Sequence, residues 1–192
     1  MQTAEKQLME AAQRGELPAA TELVDRHYPA IYAFLRRLSG SDSDAADLTQ
    51  KTFVRVWPAL ARFAARSSVK SWLHGIAHHV YLDWRRGQHR LEMRPDEWWV
   101  ACADERATPD STAADADEAA GLYAAVEQLE ADLRSTVHLH HYQGLTLDET
   151  ADALGIATST VKYRLRMALQ RLKAALADPT PFTRNPSLSR TP

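Results

Sequence analysis

The sequence predicts an all-α protein of two small helical domains joined by a flexible acidic linker. Glycine is scarce, with seven among 192 residues, and apolar residues make up 45% of the chain. Apolar side chains recur at spacings of three and four, which is the period of a helix. The acidic, proline-containing stretch 96–116 interrupts this pattern. We therefore expect a four-helix domain at 1–95, the linker, a helix-turn-helix domain at 117–177 and a disordered tail at 178–192.

Four helices are expected in the first domain. Residues 3–14 form the first helix, and Pro18 opens a second that continues to about Ser39, because proline suits the first helical turn. The third helix contains Ala45–Trp57. Its apolar residues, which could build a core, are Leu48, Phe53, Val54 and Trp57.

A polar loop at 62–68 separates the third helix from the fourth, Val69–Arg86. Ser67 or Ser68 is expected to cap the fourth helix, since a serine oxygen can accept from the free amides of a first turn. Gly87 is expected to end it.

Two further helices, at about 118–130 and 131–142, are expected before a helix-turn-helix. Thr146 and Glu149 have the spacing of a capping box, in which each side chain accepts from the other residue's amide. Gly155 then ends a short helix, because glycine accepts the left-handed turn that closes helices.

The second helix of this pair, capped by Thr158 or Ser159, presents a basic face. Val161, Leu165, Ala168, Leu169, Leu172 and Leu176 share one apolar stripe, and no acidic residue lies between Val161 and Lys173. A charged face of this kind is compatible with an ordinary helical bundle. Short polar residues at the helix start favour a major-groove helix instead. The candidate DNA contacts are Thr158, Ser159, Thr160, Lys162, Tyr163, Arg164 and Arg166.

Charge is distributed unevenly, although the net charge is only −2. Residues 60–95 hold seven Lys and Arg against two acids, whereas 96–118 hold eight acids against Arg106. Such asymmetry matters because electrostatic fields act within a Debye length. Cys102 is the single cysteine, which excludes an internal disulfide and a cysteine-based zinc cluster. Without an apolar run of ~18 residues or a signal-peptide core, we expect a cytoplasmic protein with no direct membrane insertion.

Two segments resemble conserved regions of bacterial sigma factors of the extracytoplasmic-function group in the sigma-70 family. DAADLTQKTFVRVW (Asp44–Trp57), followed by Arg62–Arg86, resembles their second region. LTLDETADALGIATSTVKYRLRMALQRLK resembles their fourth region. The resemblance implies an alternative sigma factor that binds core RNA polymerase and promoter DNA, serves a stress or stimulus regulon and is restrained by an anti-sigma factor.

The resemblance also implies roles for particular residues. Core polymerase would be bound through the β′ clamp coiled coil and the β flap, and the third helix would grip the coiled coil. The polymerase contacts implied on that helix are Asp47, Leu48, Gln50, Lys51, Val54 and Arg55. Plain core packing is the alternative for Leu48 and Val54.

The first domain would open the −10 element, and the second would recognise the −35 element as duplex through the contacts named above. The implied −10 contacts are Arg62, Arg66, Ser67, Ser68, Lys70, His78, His79, Arg85 and Arg86. The chain departs from the family pattern at His78-His79, where Arg-Asn is usual, and at Lys51, where an acid is usual. The −10 preference is therefore open.

Two other functions fit parts of the pattern. One is a conventional helix-turn-helix regulator that binds duplex DNA as a dimer, and the other is a module that sequesters another regulator. The basic loop and helix at 62–86 argue against both. We expect no enzyme, since paired carboxylates, a nucleophile with its base and a phosphate loop are missing from the sequence.

We also expect no cofactor and no metal. His138, His140 and His141 are clustered, and His74 lies one turn from His78. Zinc, however, needs three or four convergent ligands, which clustering on one helix does not provide. The Trp98-Trp99 pair in the linker is interpreted as a docking contact or an extension of the first core.

Overall fold

The computed structural model describes residues 2–92 and 121–177. The predicted linker at 96–116, with Cys102 and the tryptophan pair, and the predicted tail at 178–192 lie outside the described residues. Within the described ranges every regular element is a helix, which confirms the all-α prediction. None of these helices is both long enough and apolar enough to cross a bilayer.

The N-terminal half contains four helices, as predicted. They are α1 (Gln2–Gln13), α2 (Leu17–Ser39), α3 (Asp42–Leu60) and α4 (Val69–Glu92). The left-handed Gly40, with φ of 77°, closes α2, and its amide donates to the Arg36 carbonyl. Ser41 then caps α3 by accepting from the Asp44 amide, so two local signals produce the sharp turn between α2 and α3.

The start of α4 was predicted correctly, but its end was not. The Ser68 hydroxyl caps the helix by accepting from the Ser71 amide at 3.1 Å. The helix then continues through Gly87 to Glu92. Gly87 lacks the positive φ of a helix-ending glycine. Glycine in a helix interior costs only about 1 kcal/mol relative to alanine, so a helix can pass through it.

The C-terminal half is a second helical group. It comprises α5 (121–127), α6 (Ala131–Val137), α7 (Leu147–Leu154) and α8 (Thr158–Ala177). The prediction of one helix over 131–142 is wrong in one respect. After α6 the chain widens into a π-helical turn at His138–Tyr142, where the Gln143 amide donates to the His138 carbonyl.

The helix-turn-helix is confirmed in its local chemistry. Thr146 and Glu149 form both bonds of the capping box, and Gly155 closes α7 with φ of 66°. The predicted cap of α8 is wrong. Helix α8 already begins at Thr158, and the Ala157 carbonyl accepts the first helical bonds. The Thr158 hydroxyl instead donates to the Asp148 carboxylate at 2.8 Å, joining α8 to α7.

A single apolar cluster extends across both halves. Its centre lies in α2–α4, where Ile31, Phe34, Leu35 and Leu73 are fully buried. From the C-terminal half the cluster also includes Leu139, Leu145 and Ala153. A smaller cluster joins α5, α6 and α8. The two halves therefore share part of their core in this structure.

The core of α3 differs from the prediction. Leu48 is buried as expected, and Phe53 is half-buried, with its ring stacked on Tyr28 at 6.0 Å. Val54 and Trp57 are exposed, at 67% and 52%. Two of the buried positions of α3 hold threonines, whose hydroxyls donate to carbonyls four residues earlier and so remain satisfied inside the core. These residues are Thr49 and Thr52.

Candidate nucleic-acid interface

Helix α8 presents an open basic face. Val161 and Ala168 anchor the helix to the interior, and they are the buried members of the predicted stripe. Leu169 and Leu176 are about half exposed, so the predicted apolar stripe is buried only in part. The exposed residues at the start of the helix are Ser159, Lys162, Tyr163 and Arg166, with Thr160 half-buried beside them.

Two of the predicted contacts on α8 already have protein partners. Arg164 is half-buried and forms an ion pair with Asp132 of α6. Thr158 donates to Asp148, as described above. Both side chains therefore position α8 against its neighbours, and the prediction of free DNA contacts does not fit them in this structure. Arg166, by contrast, lies over the Tyr163 ring at 5.7 Å and faces solvent.

The candidate −10 loop is only partly accessible. Arg62 and Arg66 are exposed, and Ser67 is half-buried. Between the two arginines, Ala65 takes a left-handed conformation with φ of 52°, which is uncommon for a residue with a side chain. The loop thus projects two cations into solvent while its C-terminal end turns toward the protein.

The end of this loop and the start of α4 pack against α7, and we call this contact the α4–α7 interface. Ser68 Oγ donates to Glu149 Oε1 at 2.7 Å, and Ser71 Oγ donates to the Glu149 carbonyl at 2.7 Å. Lys70 Nζ donates to the Gln143 carbonyl. Two predicted DNA contacts, Ser68 and Lys70, are therefore engaged with the C-terminal half.

The backbones of α4 and α7 approach closely at Gly75. A Cβ atom built on Gly75 would lie 3.3 Å from the Ala153 carbonyl oxygen and 3.5 Å from its Cα. That separation is tighter than most real contacts, so the absence of a side chain allows the two helices to meet. Ser71 and His74, on the same side of α4, are almost completely buried.

Glu149 is the charged centre of the α4–α7 interface. Its carboxylate accepts from the Thr146 amide at 2.9 Å as well as from Ser68. The Thr146 amide lowers the pKa of Glu149 most, and Ser68 and the nearby Lys70 ammonium lower it further. Glu149 is therefore ionised at neutral pH, and an anion occupies the pocket beside Ser68 and Lys70.

His78 and His79, which stand where the resemblance implies Arg-Asn, lie in different environments. His78 is 7% exposed, and burial lowers its pKa to about 4, so the ring is neutral at pH 7. His78 is therefore not accessible to DNA in this conformation, and its predicted DNA contact stays a prediction. His79 is exposed, with its Nδ1 2.7 Å from the Gly75 carbonyl, and stays accessible. His74 is buried too, and its pKa is also lowered to about 4 by burial.

The Asp83 carboxylate on α4 pairs with one predicted polymerase contact, Arg55, and with one predicted DNA contact, Arg86. Asp83 Oδ2 accepts from Arg55 of α3 at 2.7 Å, and Asp83 Oδ1 accepts from Arg86. Hydrogen bonds from Arg55 and Arg86 lower the pKa of Asp83. All three side chains are largely exposed, so these pairs contribute little stability. Arg85 is exposed as well.

The predicted polymerase contacts divide into an outer and an inner set. The outer set is exposed on α3 and comprises Asp47, Gln50, Lys51, Val54 and Arg55. Leu48 belongs to the inner set, because it is fully buried and supports α3 from within. Leu48 is therefore not accessible to a partner in this conformation, and its predicted polymerase contact stays a prediction.

An apolar groove lies beside the outer set, between α2 and α3. Tyr28, Phe53, Val54 and Trp57 contribute its aromatic and aliphatic surface, and Asp47 and Gln50 lie at its edge. Sequence reasoning missed Tyr28 and placed Trp57 in the core. Helical periodicity could have predicted the outward position of Trp57, because the buried positions of α3 determine which residues face outward.

The clustered histidines play structural parts. His138 is buried in the π-helical turn with Nε2 3.7 Å from Glu127 Oε1, and burial lowers its pKa. His140 Nδ1 lies 2.7 Å from the Leu145 carbonyl, and His141 is exposed. Among the described residues, no three histidines, cysteines or acids converge on a point that could hold a metal ion.

Comparison with known families identifies both halves of the chain. The model described as Sigma-70 region 2 matches residues 23–91. The model described as Sigma-70, region 4 matches residues 120–172. The two matches together cover more than half of the chain, and they contain α3, α6 and α7 completely and most of α2, α4 and α8.

Several relatives are ECF RNA polymerase sigma factors. SigE of Mycolicibacterium smegmatis is 34% identical over 163 residues, which span 84% of this chain and 63% of the relative. SigX of Bacillus subtilis is 32% identical over 79% of this chain and 80% of its own length. SigL of Mycobacterium tuberculosis is 30% identical over 81% of this chain and 88% of the relative.

Two solved structures share the fold. The sigma factor RpoE from Bartonella quintana, in complex with the anti-sigma factor NepR, has a TM-score of 0.67 and 26% identity, covering 82% of this chain and 96% of that one. CnrH, in complex with the cytosolic domain of CnrY, also has a TM-score of 0.67, with 25% identity over 91% of this chain and 97% of that one.

Proposed function

Because the chain belongs to the extracytoplasmic-function sigma factors of the sigma-70 family, we propose that it is an alternative sigma factor. It binds core RNA polymerase, recognises −35 and −10 promoter elements and initiates transcription. The observation that supports this best is the pairing of two surfaces in one chain. The basic face of α8 is suited to DNA, and the apolar groove between α2 and α3 is suited to a protein helix.

The polymerase site is the α2–α3 groove with the outer residues of α3. An exposed apolar surface bordered by polar side chains is typical of a site that binds an apolar helix face. Val54 and Trp57 are exposed at 67% and 52%, which is unusual for large apolar side chains unless a partner covers them. The β′ clamp coiled coil is the proposed partner for this groove. The site that binds the β flap is not assigned to particular residues.

The −35 site is the start of α8. Lys162 and Arg166 are one turn apart and both exposed, so they can reach base edges or phosphates of a duplex. Ser159, Thr160 and Tyr163 lie beside them on the same helix. The helix-turn-helix geometry places the N-terminal part of such a helix in the major groove.

The −10 site is the loop before α4 together with part of α4. Its accessible cations are Arg62, Arg66 and Arg85, and its accessible hydrogen-bonding ring is His79. Cations beside a pocket suit a single strand with an unstacked base, because phosphates need charge and an extruded base needs a cavity. No covalent chemistry is required for strand opening, and none is proposed.

An anti-sigma factor is the proposed regulatory partner. The Bartonella quintana relative of known structure was solved with an anti-sigma factor, and its chain aligns with 82% of this one. A partner that covered the α2–α3 groove or α8 would block polymerase or DNA.

Run-off transcription with purified core polymerase and a genomic library tests the function. The wild-type chain should direct the core to a discrete set of start sites. Val54→Asp should abolish this activity, because it places a charge in the proposed polymerase groove. Leu17→Asp is the matched control, since Leu17 is equally exposed at 68% but lies at the start of α2. A chain that bound duplex DNA yet never activated the core would instead indicate a conventional helix-turn-helix regulator.

A further inference from the structure

A side chain that precedes the matched family regions supports the proposed −10 loop. Gln13 is the last residue of α1, and α1 lies before residues 23–91, which match Sigma-70 region 2. Its side-chain Nε2 donates to the Leu60 carbonyl at 3.1 Å and to the Phe63 carbonyl at 2.9 Å. A side-chain amide carries two N–H groups, so one nitrogen can serve both carbonyls. Gln13 therefore joins α1 to the end of α3 and to the start of the 62–68 loop.

The end of α3 lacks the left-handed closure that ends α2. Helix α2 ends at Gly40 with φ of 77°, whereas Ala61, after α3, keeps a right-handed conformation with φ of −60°. The last carbonyls of a helix have no partner within the helix and need one from elsewhere. Gln13 supplies such a partner at Leu60, the last residue of α3. The path by which the chain leaves α3 thus depends on a side chain of α1.

Packing holds the same stretch from a second side. Phe63 is half-buried, and its ring centroid lies 4.8 Å from that of Trp72 on α4. Both rings pack against the main apolar cluster, to which α1 also contributes. The exposed Arg62 lies between the two residues whose carbonyls bind Gln13, and the exposed Arg66 follows three positions after Phe63. The backbone that carries these two cations is therefore anchored where the loop begins.

We propose that Gln13 is a positioning residue of the −10 site: its amide fixes the start of the 62–68 loop, so that Arg62 and Arg66 are presented together to the phosphates of a single strand. This inference rests on the proposed function, because it concerns how the same site is held. It gives α1, which carries none of the predicted contacts, a part in DNA binding. The physical basis is preorganisation, since a loop already in its binding arrangement loses less conformational entropy when DNA binds.

Matched substitutions in the full-length chain test this role. Gln13→Met keeps an unbranched side chain of similar length and helix propensity but removes its N–H donors. Gln7→Met makes the same change at an exposed position of the same helix. Gln13→Lys returns an N–H donor, and Gln7→Lys is the control for the added charge. Circular dichroism establishes that each variant is folded.

Amide hydrogen exchange measures whether the start of the loop is held. The Arg62 amide donates to the Ala59 carbonyl at 3.0 Å, and the Phe63 amide donates to the Leu60 carbonyl at 3.1 Å. Both amides should exchange faster in Gln13→Met than in the wild type and Gln7→Met, because the local structure opens more easily. Gln13→Lys should restore protection relative to Gln13→Met. Equal exchange rates in Gln13→Met and the wild type would overturn the proposal.

DNA binding is measured by fluorescence anisotropy with a labelled, randomised 12-nucleotide strand at low salt. Gln13→Met should bind ~threefold more weakly than Gln7→Met, as expected when the loop holds its binding arrangement for about a third of the time. Equal affinities for these two variants would also overturn the proposal.

A double-mutant comparison separates positioning from general destabilisation. If Gln13 acts through the two arginines, Gln13→Met should have no further effect on binding in a chain that already carries Arg62→Ala and Arg66→Ala. A destabilising effect unrelated to the arginines would weaken binding equally in both backgrounds, and that result would overturn the positioning role. Failure of the proposed function would appear separately, as absence of run-off transcription by the wild-type holoenzyme, and would leave the hydrogen-exchange comparison unchanged.

Discussion

The two proposed DNA surfaces share polar and cationic residues but differ in what lies against them. Helix α8 exposes Lys162 and Arg166 to solvent, whereas α4 buries His78 and donates from the Ser71 hydroxyl to the Glu149 carbonyl of α7. An open helix can meet duplex DNA directly. On α4 only some of the predicted DNA contacts are accessible, such as His79 and Arg85, so availability, rather than composition, distinguishes the two surfaces.

The difference originates in side chains of α4 that the C-terminal half covers. Gly75 and Ser71 are small, and His78 is neutral when buried. The family usually has Arg-Asn where this chain has His78-His79. A guanidinium, which stays charged, would be expensive to bury at position 78, whereas a neutral histidine is tolerated there.

The largest expected effect comes from restoring that charge. His78→Arg places a guanidinium at a site that is 7% exposed, where the Arg164 cation as well as the Asp132 carboxylate acts on it, and an incompletely paired buried charge costs roughly 3–5 kcal/mol. We expect the urea midpoint to fall. His79→Asn restores the other family residue at an exposed position and should leave the midpoint nearly unchanged while altering −10 base preference. Equal midpoints for the two variants would contradict the assignment of a covered and an open histidine.

The second largest effect is expected from acid, which lowers the free energy of unfolding by protonating the buried histidines of α4. Burial lowers the pKa values of His74 and His78 to about 4, from 6.5. Between these values the unfolded chain binds protons that the folded chain does not. The free energy of unfolding should therefore decrease as pH falls from about 6.5 toward 4, by at most ~1.4 kcal/mol per pH unit for each histidine.

Urea titrations at several pH values measure this slope. His27 and His138 are buried with pKa values lowered by burial, and they add to the slope in the same direction. His74→Gln should make the slope shallower, whereas His79→Asn, an exposed change, serves as the control. A midpoint that stayed constant from pH 7 to pH 5 would be incompatible with neutral buried histidines.

The open surface is tested by Lys162→Ala. We expect it to weaken −35 duplex binding by ~1–3 kcal/mol if the ammonium reaches a base edge. If it touches only phosphate, the loss should be uniform across sequences and the salt slope should fall by about one unit. Lys173→Ala, an exposed lysine three turns further along α8, is the matched control in an electrophoretic mobility assay. Indistinguishable affinities for both variants and the wild type would show that α8 does not recognise this duplex.

The smallest effect is expected at the outer face of α4. Asp83→Asn removes the carboxylate that pairs with Arg55 and Arg86. Because exposed pairs contribute about 0–1 kcal/mol, the urea midpoint should change little. Single-strand binding should strengthen slightly at low salt, since Arg86 is released toward phosphates. A large loss of stability would show that the pair is structural.

Local features of the fold could be predicted from the sequence, and non-local ones could not. The capping box of Thr146 and Glu149 and the left-handed Gly155 depend on neighbours within a few residues. Glu149 has a second partner, Ser68, which lies 81 positions away. A residue that already satisfies a local motif gives no sign of such a contact.

The exposure of individual side chains could not be predicted where helix phase or tertiary packing decides it. Leu48 and Val54 both look apolar in sequence, but the former faces the core and the latter faces solvent. Gly87 resembles a helix end, yet α4 continues past it. Arg164 resembles its basic neighbours on α8 and is held by Asp132 from α6. The resemblance supplied the partners, and the structure sorted exposed residues from buried ones.

The apolar cluster shared by the two halves has a consequence for solubility and dosage. Separating the halves would expose Leu139, Leu145 and the α4 surface that they help to cover. Newly exposed apolar surface promotes self-association, so an opened chain without a partner is short-lived. If core polymerase supplies a replacement surface, the amount of free core, rather than the amount of this chain, sets how many molecules are active.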